Sequence, residues 1–410
     1  MLQTLKSTNR DVIKYLILSV AVGFSLFGII MVAFNLYLLR MNYDTRFIGI
    51  ANSCAPISFA LTGILAGILG RSWGSRKTTA TAFICLSLSV ILIPATQFLS
   101  PENAKIAIII LRILTGSGIS LFFVTSEPYM VSATTPENRV FIFSLGTGVR
   151  PAAAFFGALL AGFIPDKIAG FIGTDISSPL PFSYLLAFAG VILIPFIPIA
   201  LSTKERLKIE RSRTAKPQST SVKPIAVTLL ILCLSLMLRS SGESTALAFF
   251  NVFLEVVLTE PPWKIGIIMG FGQLIALPAA LLSPFLTKKT GKVNATIIAI
   301  LGMAIGLFII MIAQDWLLAG LGYGLTNAAL TMAIALGSVV HMETIPRKFR
   351  SISSGFFALA GGIGYGGMSF LGGFLIPNIG FTGLYLIGFS GCIVSAVIFL
   401  GYFKSRKKMS

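Results

Sequence analysis

The chain has 410 residues, of which 55% are hydrophobic and only 11% are charged, and its formal net charge is +18. A typical soluble domain is about 25% charged, so this composition excludes an ordinary soluble fold. A basic soluble protein can bind nucleic acid, but this chain has no soluble domain to do so, and we expect no nucleic-acid partner.

Twelve apolar stretches follow one another along the chain, each about as long as a membrane crossing. A helix needs about 20 mainly apolar residues to cross the hydrocarbon core of a bilayer. We therefore predict an all-α membrane protein with twelve transmembrane helices, numbered spans 1 to 12. The predicted spans are 14–39, 47–69, 78–99, 105–130, 140–164, 182–201, 224–258, 265–286, 293–313, 317–341, 351–376 and 381–402.

The N-terminal segment carries Lys6, Arg10 and Lys14 before a long apolar run. This arrangement superficially resembles a signal peptide, but the run is about 25 residues long and has no clear small-residue cleavage site. We interpret it as an uncleaved first span.

Basic residues are distributed unevenly between the two sets of loops. If the N-terminus lies in the cytoplasm, the inside segments hold 24 of the 32 Lys and Arg residues and the outside segments hold 5. Cytoplasmic loops of membrane proteins carry such an excess of basic residues. We expect a multi-pass protein of the cytoplasmic (inner) membrane with both termini in the cytoplasm.

The segment 202–223 is the only long inside loop, and it is rich in Lys, Arg, Ser and Pro. This composition is typical of a flexible linker. It divides the chain into an N-terminal six-helix bundle over 1–201, a cytoplasmic basic linker over 202–223 and a C-terminal six-helix bundle over 224–410.

The two halves also share short matches in the same order, which indicates an internal duplication. Parallel repeats of this kind are a transporter architecture in which the substrate site lies near the membrane midplane. The matches are Phe34-Asn35-Leu36-Tyr37-Leu38 with Phe250-Asn251-Val252-Phe253-Leu254, Ile48-Gly49 with Ile265-Gly266, Pro136 with Pro346, and Arg139 with Arg350.

Short motifs in the loops and in span 4 resemble those of the major facilitator superfamily. The stretch Gly67-Ile68-Leu69-Gly70-Arg71-Ser72-Trp73-Gly74-Ser75-Arg76-Lys77 is similar to the family's G-x-x-x-D-R-x-G-R-[RK], with Arg71 in the place of the aspartate. Lys288, three residues before Gly291, repeats that departure in the second half. Arg112-Ile113-Leu114-Thr115-Gly116-Ser117-Gly118 resembles the family's R-x-x-x-G-x-G signature, which is often associated with proton-coupled members.

This resemblance implies two pseudo-symmetric six-helix bundles around a central cavity. It also implies an inner gate at the loops after spans 2 and 8. The gate residues carried over are Gly67, Arg71, Gly74, Arg76, Lys77, Lys288 and Gly291.

Because the two aspartates are missing, other carboxylates are expected to complete this gate. Glu127 closes span 4 at the inner surface and Glu343 lies at the inner end of span 10, and Arg139 and Arg350 lie near them in the topology. The alternative is that these residues are ordinary solvated charges at the membrane interface.

Span 7 contains charged residues, which are functional candidates because burying a charge in a membrane costs roughly 3 to more than 10 kcal/mol. Arg239 and Glu243 are four residues apart, so they lie on one helix face and can pair. Glu243 is the single deep carboxylate by this interpretation. We predict that the pair lines the cavity and that Glu243 carries a proton; the alternative is that the pair only joins span 7 to its neighbours.

Two other arginines and two asparagines lie within spans. Arg112 either donates to backbone carbonyls of a neighbouring span or handles protons or substrate. Arg150 lies near the midplane by the 1.5 Å rise per residue, and we expect it to face the cavity. Asn35 and Asn251 occupy matching positions, and we interpret them as packing residues, with substrate binding as the alternative.

The remaining reactive residues favour neither a metal site nor a cofactor. Cys54, Cys85, Cys233 and Cys392 all fall inside spans without a CxxC pair, and His341 has no companion at a ligand spacing. We interpret His341 as an interfacial polar residue. No Walker lysine or nucleophile–base set is present, so we expect neither an ATP-driven pump nor an enzyme.

Together these features predict a monomeric secondary transporter that moves a small organic solute across the lipid bilayer by alternating access, driven by protons. The excess of arginine within spans favours anionic, zwitterionic or neutral substrates, because a cation would need an acidic partner in a low dielectric. Export is preferred, and uptake of an organic anion by symport is the alternative. The duplicated plan disfavours a channel, and the polar residues within spans disfavour a non-transporting scaffold.

Overall fold

The computed structural model describes residues 10–134, 136–204, 222–346 and 349–409. Within those residues every regular element is helical. Eleven helical stretches are long and apolar enough to cross a membrane. The last of them contains Gly380, whose φ of 67° separates two helices that run on without a loop. It therefore supplies spans 11 and 12, and the predicted helical membrane fold is confirmed.

The helices extend beyond many of the predicted apolar stretches, because polar residues at their ends remain helical. Span 5, predicted over 140–164, is one example. Spans 1 to 6 are Arg10–Arg40, Thr45–Ser72, Gly74–Ala95, Pro101–Ala133, Pro136–Ile172 and Leu180–Leu201. Span 7 is Val222–Ala248 followed by Phe250–Val256, spans 8 to 10 are Pro262–Thr290, Lys292–Ile312 and Trp316–Thr344, and spans 11 and 12 are the two parts of Arg350–Met409. Residues 205–221 of the predicted linker lie outside the described chain.

Apolar side chains divide between a core and a lipid-facing surface. Most of those buried between spans form one large cluster that extends through both halves of the chain, and a smaller cluster joins spans 1, 4 and 5. Others, such as Leu230 and Leu321, are about two-thirds exposed. An exposed apolar surface of this extent suits contact with lipid tails.

Spans 1 and 7, which are counterparts in the two halves, are both irregular. Span 1 contains a π-helical segment, Gly23–Ile30. Span 7 is interrupted at Phe249, where φ is −126° and ψ is 0°. Such irregularities free backbone carbonyls, which need other hydrogen-bond donors because the membrane interior supplies no water.

The two halves meet through span 2 against span 11 and span 5 against span 8. A Cβ on Gly49 would lie 2.8 Å from the Cα of Gly373, and one on Gly162 would lie 2.9 Å from the Cα of Gly266. Spans 2 and 8 are counterparts, as are spans 5 and 11, so the internal symmetry relates the two glycine contacts.

Both glycine contacts lie at the end of the molecule that carries Arg40 and the loop 257–261. This end is called the closed face below, and the charge distribution predicts that it is external. The opposite end, which carries Gly74 and Gly291, is called the open face.

We expect Gly373→Ala to loosen the closed face. The added methyl would lie 2.5 Å from the carbonyl oxygen of Thr45 and 2.9 Å from the Cα of Gly49. Overpacking costs about 1–3 kcal/mol, which corresponds to a population shift of about 5- to 150-fold. Double electron–electron resonance measures the distance between spin labels attached at Ser177→Cys and Val257→Cys, in a chain without its native cysteines. A larger open population appears as a larger fraction of long distances.

Gly367→Ala is the matched control on the same span, because no atom lies within 4 Å of the Cβ position of Gly367. It should leave the distance distribution unchanged. If Gly373→Ala behaves in the same way, the glycine contact does not hold the closed face together.

Candidate functional site

A cavity of about 1160 Å³ lies between the two halves of the molecule. Pockets of about 300–1,000 Å³ bind drug-sized ligands, so this cavity has room for a small organic solute. It opens away from the closed face, because its exposed lining residues lie toward the open-face ends of spans 8, 10 and 11. These residues are Leu281, Pro284, Ile334, Ala335, Ser338 and Ala358.

Two asparagines join spans 1 and 7 at the other end of the cavity. Nδ2 of Asn35 donates to the carbonyl oxygen of Ala248 and to Oδ1 of Asn251, both at 2.8 Å. Nδ2 of Asn251 donates to the carbonyl oxygen of Val32 at 2.9 Å. Ala248 and Val32 each precede their own asparagine by three residues, so the two spans exchange the same bond in both directions. These bonds are called the asparagine exchange below.

Asn52 of span 2 extends this layer, and the sequence did not single it out. Its Nδ2 donates to Oδ1 of Asn35 at 2.9 Å and to the carbonyl oxygen of Ala248 at 3.0 Å. Ala248 is the last residue before the break at Phe249. Two asparagines from the first half therefore satisfy a carbonyl at the break in the second half.

An ion pair lies beyond the asparagines, nearer the closed face. Arg40 of span 1 pairs with Glu255 of span 7, and both side chains are largely buried. Nε of Arg40 also donates to the carbonyl oxygen of Ile176 at 3.0 Å, and its guanidinium lies 5.3 Å from the ring centre of Phe182. Glu255 is a second largely buried carboxylate, which the sequence interpretation did not single out. The available signal was position: Arg40 and Glu255 follow the two matching Phe-Asn stretches.

The charged pair of span 7 faces the middle of the cavity. Nη1 of Arg239 lies 3.7 Å from Oε2 of Glu243, and both residues line the cavity. This distance is too long for a hydrogen bond, so the two groups attract without a directional bond. The small residues between them pack elsewhere: a Cβ on Gly242 would lie 2.4 Å from Sγ of Cys392, on span 12.

Aromatic rings hold the two other arginines against the cavity wall. The guanidinium of Arg112 lies 4.5 Å from the ring centre of Phe34, and its Nε donates to the carbonyl oxygen of Ala51 at 3.2 Å. The guanidinium of Arg150 lies 5.5 Å from the ring centre of Phe27 and 4.9 Å from that of Phe123. Both arginines line the cavity. Arg112 makes the backbone hydrogen bond that its sequence offered as one role, and its handling of protons or substrate stays a prediction.

The described lining of the cavity is mostly apolar and carries more positive than negative charge. Its charged members are Arg112, Arg150, Arg239 and Glu243. Three cations and one anion give this wall an excess of two positive charges.

The glycines of the predicted gate motifs lie at two tight turns on the open face. Gly74 and Gly291 have φ values of 83° and 80°, a left-handed conformation that glycine adopts at little cost. They lie at the starts of spans 3 and 9, so the turn is repeated in both halves. Gly67 makes no close approach, since no atom lies within 4 Å of its Cβ position.

The charged residues of the predicted gate are only partly described. Arg76, Lys77 and Lys288 are exposed. The side chains of Arg71, Glu127 and Arg139 lie outside the described part of the chain.

Among the described residues, the ion-pair partner of Glu343 is Lys292 at the start of span 9, and not Lys288 or a residue of the first half. This pair joins two spans of the same half, so it does not close the cavity in this conformer. Nε of Arg350 donates to the carbonyl oxygen of Ile345 at 3.2 Å.

His341 is buried in the last turn of span 10, and its position at the membrane interface stays a prediction. Its Nε2 lies 3.0 Å from Oγ of Ser353, and its ring stacks on Phe357 with 3.6 Å between centres. His341 lines the cavity nearer its mouth.

Comparisons with known proteins agree on one family. The family model described as Major Facilitator Superfamily matches residues 16–364. A mutant of the nucleoside transporter NupG is 17% identical, with a TM-score of 0.74 over 96% of this chain and 100% of that chain. The xylose transporter XylE from E. coli, in a partially occluded inward-open conformation, is 16% identical, with a TM-score of 0.74 over 96% and 98%. A D-xylose-proton symporter is 17% identical, with a TM-score of 0.70 over 95% and 96%. At these identities the solved structures show a shared fold.

We expect Asn251→Ala to open the closed face, because it removes two bonds between spans 1 and 7: the one from Asn251 to the carbonyl oxygen of Val32 and the one from Asn35 to Oδ1 of Asn251. Leaving a buried polar group unsatisfied costs about 1–3 kcal/mol, so the open population should rise about 5- to 150-fold. Leu247→Cys, which lies in the cavity wall beside Ala248, reports the change. In proteoliposomes its reaction with an impermeant maleimide added at the closed face should become faster.

Asn294→Ala is the control, since Nδ2 of Asn294 donates at the open face, to the carbonyl oxygen of Thr290 at the end of span 8, at 3.0 Å. Its labelling rate should match that of the unmodified chain. Equal rates for Asn251→Ala would mean that the asparagine exchange does not seal the cavity.

Proposed function

Because the chain belongs to the major facilitator superfamily, we propose that it is a proton-coupled secondary transporter of a small organic solute in the cytoplasmic membrane. Its family and fold make it a multi-pass membrane transporter rather than an enzyme. The coupling ion, the membrane, the monomeric state and the direction of transport are parts of the proposal.

The one-sided cavity carries this proposal. The asparagine exchange and the two glycine contacts close one face, while the cavity reaches the surface at the other. A channel would need a continuous path, and a scaffold would need no charged cavity. With the predicted orientation, this conformer is open to the cytoplasm.

Alternating access requires a second conformer in which the open face closes. The turns of Gly74 and Gly291 lie at the open face, one in each half, and are related by the repeat. They are the proposed place of this second gate. In that conformer Glu343 would exchange Lys292 for a cation of the first half, and Glu127 would act on the other side of the gate. The basic residues at this face are the candidate partners.

The Arg239–Glu243 pair is the proposed proton site. A buried carboxylate is stable as an anion only while a positive partner compensates for the lost hydration. Any movement that separates Glu243 from Arg239 therefore favours protonation of Glu243. This dependence provides a link between proton binding and conformational change.

The direction of transport depends on how proton and substrate share this site. Export, which the sequence favours, requires the two to occupy the cavity alternately. Uptake by symport requires them to bind together, and the excess of positive charge in the lining favours this second candidate.

We expect Glu243→Gln to abolish accumulation of solute while leaving exchange of solute across the membrane. Glutamine preserves the shape of the side chain, but its amide neither takes up nor releases a proton near neutral pH. The measurement uses proteoliposomes with an imposed pH gradient and a solute found by thermal stabilisation of the purified protein. In the unmodified chain, the flux should saturate with solute and collapse with an uncoupler.

Glu260→Gln serves as the control, because Glu260 pairs with Lys264 at 2.8 Å near the closed face and does not line the cavity. It should accumulate solute normally. Full accumulation by Glu243→Gln would exclude Glu243 from coupling and make its pairing with Arg239 structural.

A further inference from the structure

Arg239 lines the cavity and has a buried hydrogen-bond donor without a partner. The side chain is 9% exposed, and its Nη1 has no hydrogen-bond partner among the described atoms. Glu243 lies 3.7 Å away, near enough to balance the charge but too far to accept a hydrogen bond. Guanidinium groups form short, often bidentate hydrogen bonds with carboxylates. A carboxylate that enters the cavity can therefore make a better bond to Arg239 than Glu243 makes in this conformer.

The surroundings of this donor suit an organic acid with an apolar body. Phe27, Phe34 and Phe123 line the same cavity, together with many aliphatic side chains. Arg112 and Arg150 add two positive charges, which attract anions into a cleft with low-dielectric walls. A cationic solute would have only Glu243 as a partner, and Glu243 already lies beside Arg239.

From this arrangement, and resting on the proposed transport function, we propose that the substrate is an organic monocarboxylate with an apolar body. Its carboxylate replaces Glu243 as the counter-ion of Arg239, and the displaced Glu243 takes up one proton. The anion and the proton are then carried together.

The charge balance explains why the two events depend on each other. In the empty site, Arg239 and Glu243 compensate each other. In the loaded site, the substrate compensates Arg239 and the proton neutralises Glu243, so the net charge is unchanged. The anion alone would leave Glu243 as an unpaired buried charge, and the proton alone would leave Arg239 unpaired. Both outcomes are costly in a low dielectric, so the half-loaded states are disfavoured.

Other groups around Glu243 do not replace it in this exchange. Tyr365 of span 11 and Cys392 of span 12 face it, and a phenol and a thiol are ordinarily neutral near pH 7. Arg112 and Arg150 lie across the cavity and remain cationic, while His341 lies nearer the mouth. Glu243 is therefore the group in this environment whose protonation can follow the substrate.

Binding of matched probes to the purified chain tests the proposal. The probes are 4-phenylbutyrate, its amide and 4-phenylbutylamine. A fourth probe, phenyl phosphate, tests a group with two negative charges. We expect the carboxylate to bind at least about 10-fold more tightly than the amide or the amine. A pH electrode in weakly buffered solution should record about one proton taken up per carboxylate bound, and the affinity should fall about 10-fold per pH unit where the empty site is deprotonated.

Glu243→Gln should still bind the carboxylate but without proton uptake or pH dependence, whereas Glu260→Gln should behave as the unmodified chain. Equal or tighter binding of the amide or amine, or no binding of the carboxylate, would overturn the substrate class. Tighter binding of phenyl phosphate than of the carboxylate would mean that the substrate is a phosphate ester and not a monocarboxylate. Carboxylate binding without proton uptake would overturn the coupling. The proposed transport function is tested separately, by flux in proteoliposomes, and it is wrong if the reconstituted protein moves no solute at all.

Discussion

The asparagine exchange between spans 1 and 7 is the contact on which the arrangement of this conformer depends. A membrane helix must satisfy its backbone polar groups internally or through neighbouring side chains. The break at Phe249 leaves the carbonyl of Ala248 to Asn35 and Asn52, two residues of the other half. The break in the second half therefore leaves a carbonyl that needs hydrogen-bond donors, and side chains of the first half supply them. Separation of the two halves at this face means losing these bonds, so the same contact that closes the cavity also resists its opening.

Packing supports this polar layer at the closed face. Glycine pairs let spans 2 and 11, and spans 5 and 8, approach until their backbones touch. The ion pair between Arg40 and Glu255 adds a charged contact nearer the surface. The open face differs, since the described pair of Glu343 with Lys292 stays within one half. The molecule is therefore held together at one end and free to separate at the other, as an alternating-access carrier requires at each stage of its cycle.

Charges within the cavity are tolerated because each has some compensation, although that compensation is incomplete. Arg112 has a carbonyl and an aromatic face, and Arg150 lies near two aromatic rings. Among the described residues, Arg239 has one distant carboxylate as its ion-pair partner and a buried Nη1 without a hydrogen bond. Incomplete satisfaction of a buried donor costs free energy in the empty protein, and a ligand that completes it recovers that energy on binding. This is the physical reason to place the substrate's anionic group at Arg239.

Hydrophobic length, charge asymmetry and the repeated motifs of the sequence determined the twelve-span fold, its family and the candidate cavity residues, because spanning length and buried charge are local constraints. Only the tertiary structure decided which residues meet. Asn52 has no local signal that separates it from ordinary polar residues, and the position of Glu255 after the matching Phe-Asn stretch does not show its partner. Their roles follow from span 2 and span 1 packing against span 7. His341 is buried because Phe357 and Ser353 come from the next span. Packing brings together partners from different spans, whether 12 residues apart, as His341 and Ser353 are, or 196, as Asn52 and Ala248 are. A single sequence carries periodicity and composition but not those contacts.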